Sequence, residues 1–495
     1  MTHSTSQPTR ASNVSRTLAQ SRLGVPSVFF FAAAGAAPLT VVAGGATTGF
    51  AVTGTLGIPV SYFAIAIILA VFSVGYVAMS RHIVNAGAFY TYISHGLGKI
   101  TGVGAAGVAV LGYNAMQVGL YGGFGAVLAG YLETRFGMSI TWWECAFIGW
   151  ALVAVLGVLR VDLNGKVLAV LLLAEIAIAV VYDAVMIGHP ARGGVDYDTL
   201  APSYLFASGI GAALVTAVTG FVGFEAGVVF SEETKDPKRT VARATYLALV
   251  VTGLLYGLSA WAMSVPTGHD GIVTAAQAQG TELIFSLVAP HVGQAMIDIG
   301  HILFITSLFA ALLAFHNTVA RYLFALGREG VLPAALGRTS RRSGAPKLGS
   351  LIQTALAFAV ITVYAVNGWD PIVKLFFWLT VAGGLGVLIL MVATSLAVLG
   401  YFRRNPVGEN PWRRIIAPLS SFLALGAVLA ITLDQFHLLL GVGPDSLLKW
   451  IFPIAYAVTA ASSAAWALAL RLGRPSTYAA IGLGANSPTP ATAHA

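Results

Sequence analysis

Long apolar runs, separated by short polar segments, make up most of the chain. A helix needs about 20 apolar residues to cross the hydrocarbon core of a bilayer. Runs of that kind lie at 27–53, 59–80, 100–131, 142–160, 167–188, 205–231, 242–265, 292–319, 350–367, 372–401, 415–433 and 448–470. The pattern predicts an all-α polytopic membrane protein with about twelve transmembrane helices. Several runs are longer than an upright helix needs, so we expect tilted or interrupted helices.

The first and sixth runs carry signals for interruption. Pro38 lacks a backbone donor and disfavours helix at Ala37, while Gly220 and Gly223 weaken the sixth helix just before Glu225. A carboxylate at bilayer depth costs roughly 2.5–3.5 kcal/mol on insertion scales, so it usually faces a cavity or a partner. Unwound backbone at that depth is tolerated only where protein buries it or water reaches it. Two interrupted helices at matching places therefore indicate a binding site between them, as in secondary transporters.

Composition and charge fit a membrane protein. The chain is 57% hydrophobic and only 9% charged, whereas soluble domains carry about 25% charged residues. Of 27 basic residues, only Arg135, Arg192, Lys374 and Lys449 lie outside when the N-terminus is placed in the cytoplasm. We therefore expect both termini to be cytoplasmic. The net charge of +8 follows from this topology and does not indicate nucleic-acid binding.

The two ends of the chain are small and polar. Residues 1–23 have no apolar signal-peptide core, and we expect a disordered cytoplasmic tail there. Residues 473–495 are expected to form a second cytoplasmic tail.

No motif for catalysis or cofactor binding is present in the sequence. Cys145 is the single cysteine, which excludes an intramolecular disulfide and a cysteine-based metal site. The G-V-G-A-A-G at 102–107 follows no strand and lies inside an apolar run, so it indicates close helix packing rather than a dinucleotide site. We expect neither an enzyme nor a bound metal or cofactor.

Four stretches resemble one transporter family. The F-V-G-F-E at 221–225 and the E-E-T-K-D-P-K-R at 232–239 resemble the sixth helix and following loop of the amino acid–polyamine–organocation permeases. The N-A-G-A-F-Y-T-Y-I-S-H-G-L-G at 85–98 resembles the Gly- and aromatic-rich approach to helix three. The N-T-V-A-R-Y-L-F-A-L-G-R-E-G-V-L-P at 317–333 resembles the cytoplasmic end of helix eight.

The resemblance covers residues 24–470 and implies a specific architecture. It implies a five-plus-five inverted repeat (LeuT-like), with the first repeat at 24–200 and the second at 201–405. Helices one and six would be broken, and two extra helices would lie in 406–472. It also implies transport of an amino acid or a related amine.

On this reading the substrate lies between the breaks of helices one and six. The expected substrate contacts are Ala37, Pro38, Leu39, Thr40, Val41, Tyr113, Asn114, Gln117, Thr219, Gly220, Phe221, Val222, Gly223, Phe224 and Glu225. Free N–H groups near 39–42 would meet a carboxylate, and free carbonyls at 219–222 would meet an ammonium group. Phe221 and Phe224 would cover the substrate side chain, and Phe221 and Asn317 would act as gates. The polar residues on helix three have an alternative role, which is bonding to neighbouring helices.

Glu175 is a second acid inside an apolar run. The family often carries a lysine in this region, beside the position of a coupling sodium, so the acid departs from the family's pattern. A buried carboxyl can exchange one proton, and we predict proton coupling through Glu175. The alternatives are a protonated Glu bonded to a neighbouring helix, and sodium bound with hydroxyls of Thr306 and Ser307.

The loop after the sixth run is rich in charge. We expect Glu232, Glu233, Lys238 and Arg239 to form an ion-pair cluster that moves during transport. The alternative is a solvated loop, in which exposed pairs contribute ~0–1 kcal/mol.

The functional prediction is a permease of the cytoplasmic membrane. It would move a neutral amino acid by alternating access, coupled to a proton. A polyamine or organocation carrier and an amino acid exchanger remain as alternatives, and a membrane sensor that binds without transport is a third. The expected partners are a small-molecule substrate, the lipid bilayer and a coupling proton.

Overall fold

The computed structural model describes residues 14–15, 24–83, 85, 87–159, 161–229, 234, 236–340, 343–406 and 408–484. Its helices are α1 Val25–Gly35, α2 Thr47–Thr53, α3 Ile58–Ser80, α4 Ala88–Leu97, α5 Lys99–Phe136, α6 Trp142–Leu156, α7 Val161–Gly188, α8 Ile210–Phe221, α9 Ala226–Val229, α10 Pro237–Thr267, α11 Ile272–Gln279, α12 Leu283–Val288, α13 Gln294–Arg328, α14 Lys347–Val366, α15 Trp378–Arg404, α16 Ala417–Asp434, α17 Phe436–Leu439, α18 Ile451–Gly473 and α19 Pro475–Ala480. Segments of π-helix cover Thr40–Ala46, Pro371–Phe377 and Trp412–Ile416, and 3₁₀ turns cover Asp198–Leu200, Pro202–Phe206, Gly280–Glu282 and Leu447–Trp450. Two short strands, β1 Val14–Ser15 and β2 Thr339–Ser340, pair antiparallel.

Nine helices of the described part are long and apolar enough to cross a membrane. They are α3, α5, α7, α10, α13, α14, α15, α16 and α18. The short helical segments that directly precede α15, α16 and α18 belong to the same spans. The remaining predicted runs correspond to shorter apolar helices, Thr40–Thr53, Trp142–Leu156 and Ile210–Phe221. The chain is therefore a largely helical polytopic membrane protein, in agreement with the apolar pattern.

The first and sixth runs are interrupted at the residues that the sequence indicated. Helix α1 ends at Gly35, and helical structure resumes after Ala37, whose φ of 41° is unusual for a residue other than glycine. Helix α8 ends at Phe221, and α9 begins only at Ala226. Gly223 lies between them with a φ of 118°, which L side chains rarely adopt.

Helix α5 lies at the centre of the bundle, where it packs against α15, α18, α13, α6 and α4. Small residues allow this close approach. A methyl group placed on Gly104 would lie 3.1 Å from the Ala460 carbonyl oxygen of α18, and one on Gly107 would lie 2.3 Å from Ser463 Oγ. The glycines at 102–107 therefore contact neighbouring helices, as expected from their pattern.

Part of each predicted tail packs on the helical bundle. In the N-terminal tail, β1 pairs with β2, which lies in the segment after α13. In the C-terminal tail, the N–H groups of Gly482 and Gly484 donate to the buried Glu329 carboxylate at 2.7 and 2.8 Å. Asn85 Nδ2 donates to the same carboxylate at 3.1 Å, and the Tyr90 hydroxyl also donates to it. Residues 475–484 are thus tied to the bundle rather than free of it.

Candidate functional site

A cavity lies against both interruptions. The first run contributes Gly35, Ala36, Ala37, Thr40, Val41 and Gly45, and α8 contributes Thr216, Thr219 and Gly220. The other helices contribute Tyr62, Met116, Leu120, Ala311, Phe315, Phe376, Phe377, Thr380 and Val381. The cavity therefore sits where the sequence predicted a binding site, between the two broken helices.

The two interruptions touch each other through backbone atoms. A methyl group on Gly223 would lie 2.7 Å from the carbonyl carbon of Gly35 and 2.9 Å from the nitrogen of Ala36. A methyl group on Gly220 would lie 2.8 Å from Val41 Cγ1. Close contact between the breaks thus depends on the absence of side chains at these glycines.

The walls of the cavity are almost wholly apolar. No charged side chain belongs to the described residues that line it, and its polar side chains are Tyr62 and four threonines. The hydroxyls of Thr216, Thr219 and Thr380 donate to carbonyls of their own helices. The Tyr62 hydroxyl is buried without a hydrogen-bond partner among the described residues. A buried hydroxyl normally has a partner, so Tyr62 is available to a ligand.

The structure brings five of the predicted contacts to the cavity, namely Ala37, Thr40, Val41, Thr219 and Gly220. The others do not line it: Pro38, Leu39, Tyr113, Asn114, Gln117, Phe221, Val222, Gly223, Phe224 and Glu225. Gly223 nevertheless affects the site, because its lack of a side chain allows the break of the sixth run to pack against Gly35.

The backbone N–H groups at the point where helical structure resumes in the first run already form hydrogen bonds within the protein. Leu39 N–H donates to Glu175 Oε2 at 3.4 Å, Thr40 N–H donates to Ser307 Oγ at 3.2 Å, and Val41 N–H donates to the Ala37 carbonyl at 3.0 Å. The expectation that these groups are free for a carboxylate is therefore wrong for this conformation. Side chains from α7 and α13 satisfy the donors that a helix start leaves open.

Glu175 connects three elements next to the cavity. It projects from α7, lies 2% exposed, and accepts from the backbone at the break of helix one. Its carboxyl also interacts with the Ser307 hydroxyl of α13. Ser307 in turn accepts from the Thr40 hydroxyl at 3.1 Å, and Thr40 lines the cavity. A change at Glu175 can thus reach the cavity through two hydrogen bonds.

Glu225 faces away from the cavity. Its Oε1 accepts from the Tyr113 hydroxyl at 2.5 Å, and its Oε2 accepts from Gly223 N–H at 2.9 Å. The Tyr113 ring stacks on Phe315, with ring centroids 6.2 Å apart, and Phe315 lines the cavity. Tyr113 and Glu225 therefore support the wall of the cavity from behind, and Glu225 immediately precedes α9.

The two other polar residues that the sequence predicted as substrate contacts, Gln117 and Asn114, lie on α5 and form hydrogen bonds within the protein. Gln117 Nε2 lies 3.1 Å from His316 Nδ1 of α13, and Gln353 Nε2 of α14 donates to Gln117 Oε1. His316 Nε2 lies 2.7 Å from the Ser350 hydroxyl. Asn114 Nδ2 donates to the Val110 carbonyl of its own helix and faces a separate groove. The alternative interpretation, bonding between helices, describes Gln117.

The aromatic cover of the cavity differs from the expectation. Phe221 packs against Tyr62 and Tyr256, and Phe224 packs against Phe72, so neither covers the cavity. Asn317 lies outside the cavity as well, one turn before Arg321, whose guanidinium donates to the Asn317 carbonyl at 3.2 Å.

The sequence missed the residues that form most of the wall. Phe315, Phe376 and Phe377 supply the aromatic rings, and Met116 and Leu120 supply aliphatic surface. In an apolar helix these residue types carry no periodic signal that separates a cavity wall from a lipid-facing or core surface. That the Tyr62 hydroxyl has no partner within the described part of the chain becomes evident only from its three-dimensional surroundings.

Glu232 and Glu233 lie outside the described residues, so the ion-pair cluster in this loop stays a prediction. Arg239 lies 4.0 Å from Asp236, and the Asp236 side chain accepts from Arg239 N–H at 3.4 Å. Both side chains are mostly exposed, so this pair by itself stabilises little.

Comparison with known proteins gives a consistent picture. A family model described as amino acid permease matches residues 27–465. The chain is similar to the low-affinity putrescine importer PlaP of Escherichia coli (strain K12), with 24% identity over 405 residues, 78% of this chain and 83% of the relative. It is similar to the branched-chain amino acid permease BcaP of Bacillus subtilis (strain 168), with 25% identity over 202 residues, 40% of this chain and 39% of the relative. It is also similar to the gamma-aminobutyric acid permease of Escherichia coli (strain K12), with 24% identity over 227 residues, 45% of this chain and 47% of the relative.

Proposed function

The chain belongs to the amino acid permease family of the amino acid–polyamine–organocation superfamily, and from that premise we propose that it is a secondary transporter of a neutral amino acid. It works by alternating access in the cytoplasmic membrane. The observation that carries the proposal is the apolar cavity between the two helix breaks. Unwound backbone at such breaks offers polar atoms at membrane depth without a charged side chain, which suits a zwitterion.

The lining favours an apolar substrate side chain. Phe376, Phe377 and Met116 offer apolar surface, against which an apolar substrate side chain would pack. The Tyr62 hydroxyl and the backbone carbonyls of Gly35 and Gly220 would supply the polar contacts, because the Ala36 and Ala37 N–H groups already donate to Ala32 and Ala33. This set extends the predicted contacts with residues that the sequence did not single out.

A diamine carrier is the second candidate, because a relative that matches 78% of this chain is named a putrescine importer. A diamine carries two positive charges, and buried charges need a paired or hydrogen-bonded partner. Glu225 is already held by Tyr113 and Gly223 and does not line the cavity. The neutral amino acid is therefore the better match to the lining.

We also propose that transport is coupled to a proton and that Glu175 carries this proton. As a carboxylate, Glu175 accepts from Leu39 N–H and holds the break of helix one against α7. Protonation removes the charge that strengthens this hydrogen bond, and bonds to charged groups are about twice as strong as neutral ones. Proton arrival would thus loosen helix one beside the cavity and link proton movement to substrate movement.

The number and orientation of the membrane spans are also part of the proposal. We expect twelve spans in a five-plus-five inverted repeat, with helices one and six broken and both termini cytoplasmic. The distribution of basic residues supports this orientation. Reporter fusions after Gly473 and in the loop at 189–209 test it, since the first should report the cytoplasm and the second the outside. The opposite pattern would overturn the topology.

Uptake by proteoliposomes tests the transported substrate. We expect accumulation of leucine-sized neutral amino acids, weak uptake of lysine and glutamate, and no uptake of putrescine. Putrescine uptake without amino acid uptake would support the diamine carrier instead. Binding without uptake of any compound would indicate a sensor.

Glu175→Gln tests the coupling. An imposed pH gradient, acidic outside, should drive accumulation by the wild type, whereas the variant should retain only exchange of internal for external substrate. Sodium-driven accumulation without a pH gradient, or an unaltered pH response in the variant, would contradict proton coupling through Glu175.

A further inference from the structure

A further buried acid lies on the same helix as Glu175. Asp183 of α7 is 8% exposed, and its Oδ2 accepts from the Ser259 hydroxyl of α10 at 2.7 Å. Its Oδ1 is buried without a partner among the described residues. A carboxyl inside an apolar span that forms a single hydrogen bond is costly to keep, which points to a role beyond packing.

Asp183 lies between Glu175 and one end of α7. Eight residues separate the two acids, which corresponds to about 12 Å along a helix. Helix α7 ends five residues later at Gly188, at the side that the proposed topology places outside. Asp183 is thus closer than Glu175 to the side that the proposed topology places outside.

Helix α10 packs against α7 and carries two hydroxyl groups one turn apart. Ser259 bonds Asp183, and Tyr256 precedes it by three residues on the same face of α10. The Tyr256 hydroxyl donates to the Ala36 carbonyl at 2.6 Å, at the break of helix one. From α13 the Ser307 hydroxyl reaches Glu175. Among the described residues, no basic side chain forms an ion pair with either acid, so their protons are not fixed by a neighbouring cation.

We propose that Asp183 is a relay carboxyl that passes protons between the outer solution and Glu175. This inference rests on the proposed proton coupling. A proton from outer water binds the Asp183 carboxylate and then moves along the Ser259 and Tyr256 hydroxyls, with water in the gaps, to the Glu175 carboxylate. Asp183 returns to its ionised form and is ready for the next proton. Asp183 does not touch the substrate and acts through Glu175.

Asp183→Asn tests the relay in proteoliposomes that contain the full chain. The probe is the neutral amino acid that the wild type accumulates best in the uptake panel. Exchange of this amino acid across the membrane needs no net proton movement, so the variant should retain it. Accumulation driven by a pH gradient should fall at least tenfold, and so should the substrate-evoked proton influx that a dye inside the vesicles reports. Asp183→Glu should restore both, and Ser259→Ala should slow proton influx while it keeps exchange.

A matched acid separates the relay from a general loss of charge. Asp298, at the outer end of α13, pairs with Arg135 at 3.1 Å and lies off the path, so Asp298→Asn should keep gradient-driven accumulation. Wild-type accumulation by Asp183→Asn would overturn the relay. A parallel loss of exchange and accumulation that Asp183→Glu does not restore would also overturn it, because it would show a structural role. If the wild type itself ignores the pH gradient, the proposed coupling fails, which is a different result.

Discussion

Tyr62 is the single residue in the cavity wall whose polar group lacks a protein partner in the described part of the chain. Its ring is held by edge contacts with Phe221 and Tyr256, whose centroids lie 6.2 and 5.5 Å away. The hydroxyl is therefore positioned in advance, which reduces the entropy that a ligand contact costs. A hydrogen bond to a charged ligand group contributes about 1.5–3 kcal/mol.

We expect Tyr62→Phe to weaken substrate binding roughly 10- to 100-fold, because each 1.4 kcal/mol changes affinity tenfold. The fold should be little affected, since the hydroxyl has no hydrogen-bond partner among the described residues. Substrate-dependent thermal shift and uptake KM measure the effect. Tyr456→Phe is a matched control, because its hydroxyl donates to the Ala382 carbonyl at 2.7 Å outside the cavity. That variant should lose stability and keep affinity, and unchanged affinity in Tyr62→Phe would remove Tyr62 from the site.

The two helix breaks act as one element because they pack backbone against backbone. Gly223 combines two constraints, a φ of 118° and atoms of the first break within 3 Å of any Cβ. A strained non-Gly conformation costs about 1–3 kcal/mol, and the clash adds to that cost. Gly220 has the milder constraint, since the atom that its methyl group would meet first belongs to the Val41 side chain.

Gly223→Ala should separate the two breaks and abolish high-affinity binding, with a smaller loss from Gly220→Ala. Gly426→Ala is the matched control, because Gly426 lies in α16 with no atom within 4 Å of its added methyl group. That control should stabilise the helix by about 0.5–1 kcal/mol. Ligand binding by purified, monodisperse protein decides the question, and wild-type affinity in Gly223→Ala would contradict a site built on contact between the breaks.

At the scale of the whole molecule, an ion cluster joins two loops that are distant in sequence. His269 follows α10, and its Nδ1 lies 2.6 Å from Asp196 in the loop after α7. Its Nε2 lies 2.9 Å from Asp270, and Asp270 also pairs with Arg192 at 2.8 Å. The hydrogen bond to Asp196, together with the nearby Asp270 charge, raises the pKa of His269 above its usual value.

The raised pKa of His269 determines how the stability of the fold changes with pH. A histidine whose pKa is raised on folding stabilises the fold fully below its ordinary pKa of about 6.5. That contribution disappears as the pH rises through the raised value in the folded state. We expect His269→Gln to lower the unfolding temperature at about pH 6 and to have little effect at about pH 9. Asp196→Asn should flatten the same pH dependence, and a pH-independent difference between wild type and His269→Gln would contradict the link.

Apolar runs and special backbone residues were sufficient to predict a helical polytopic membrane protein and the interruptions of its first and sixth runs. The physical reason is that a span must be apolar along its length, that Pro38 lacks a backbone donor, and that Gly223 permits a φ that other residues rarely adopt. The sequence also indicated Glu175, since an acid in an apolar run stands out by its residue type.

Only the tertiary structure decided which side chains meet at the site. In the folded chain the Leu39 N–H group donates to Glu175, and Glu225 accepts from Tyr113. Tyr62 and Phe376 line the cavity, whereas Phe221 does not. Hydrophobic pattern cannot make these choices, because every face of a buried helix in a membrane protein is apolar. The partner of each face is set by packing between helices that are far apart in the chain.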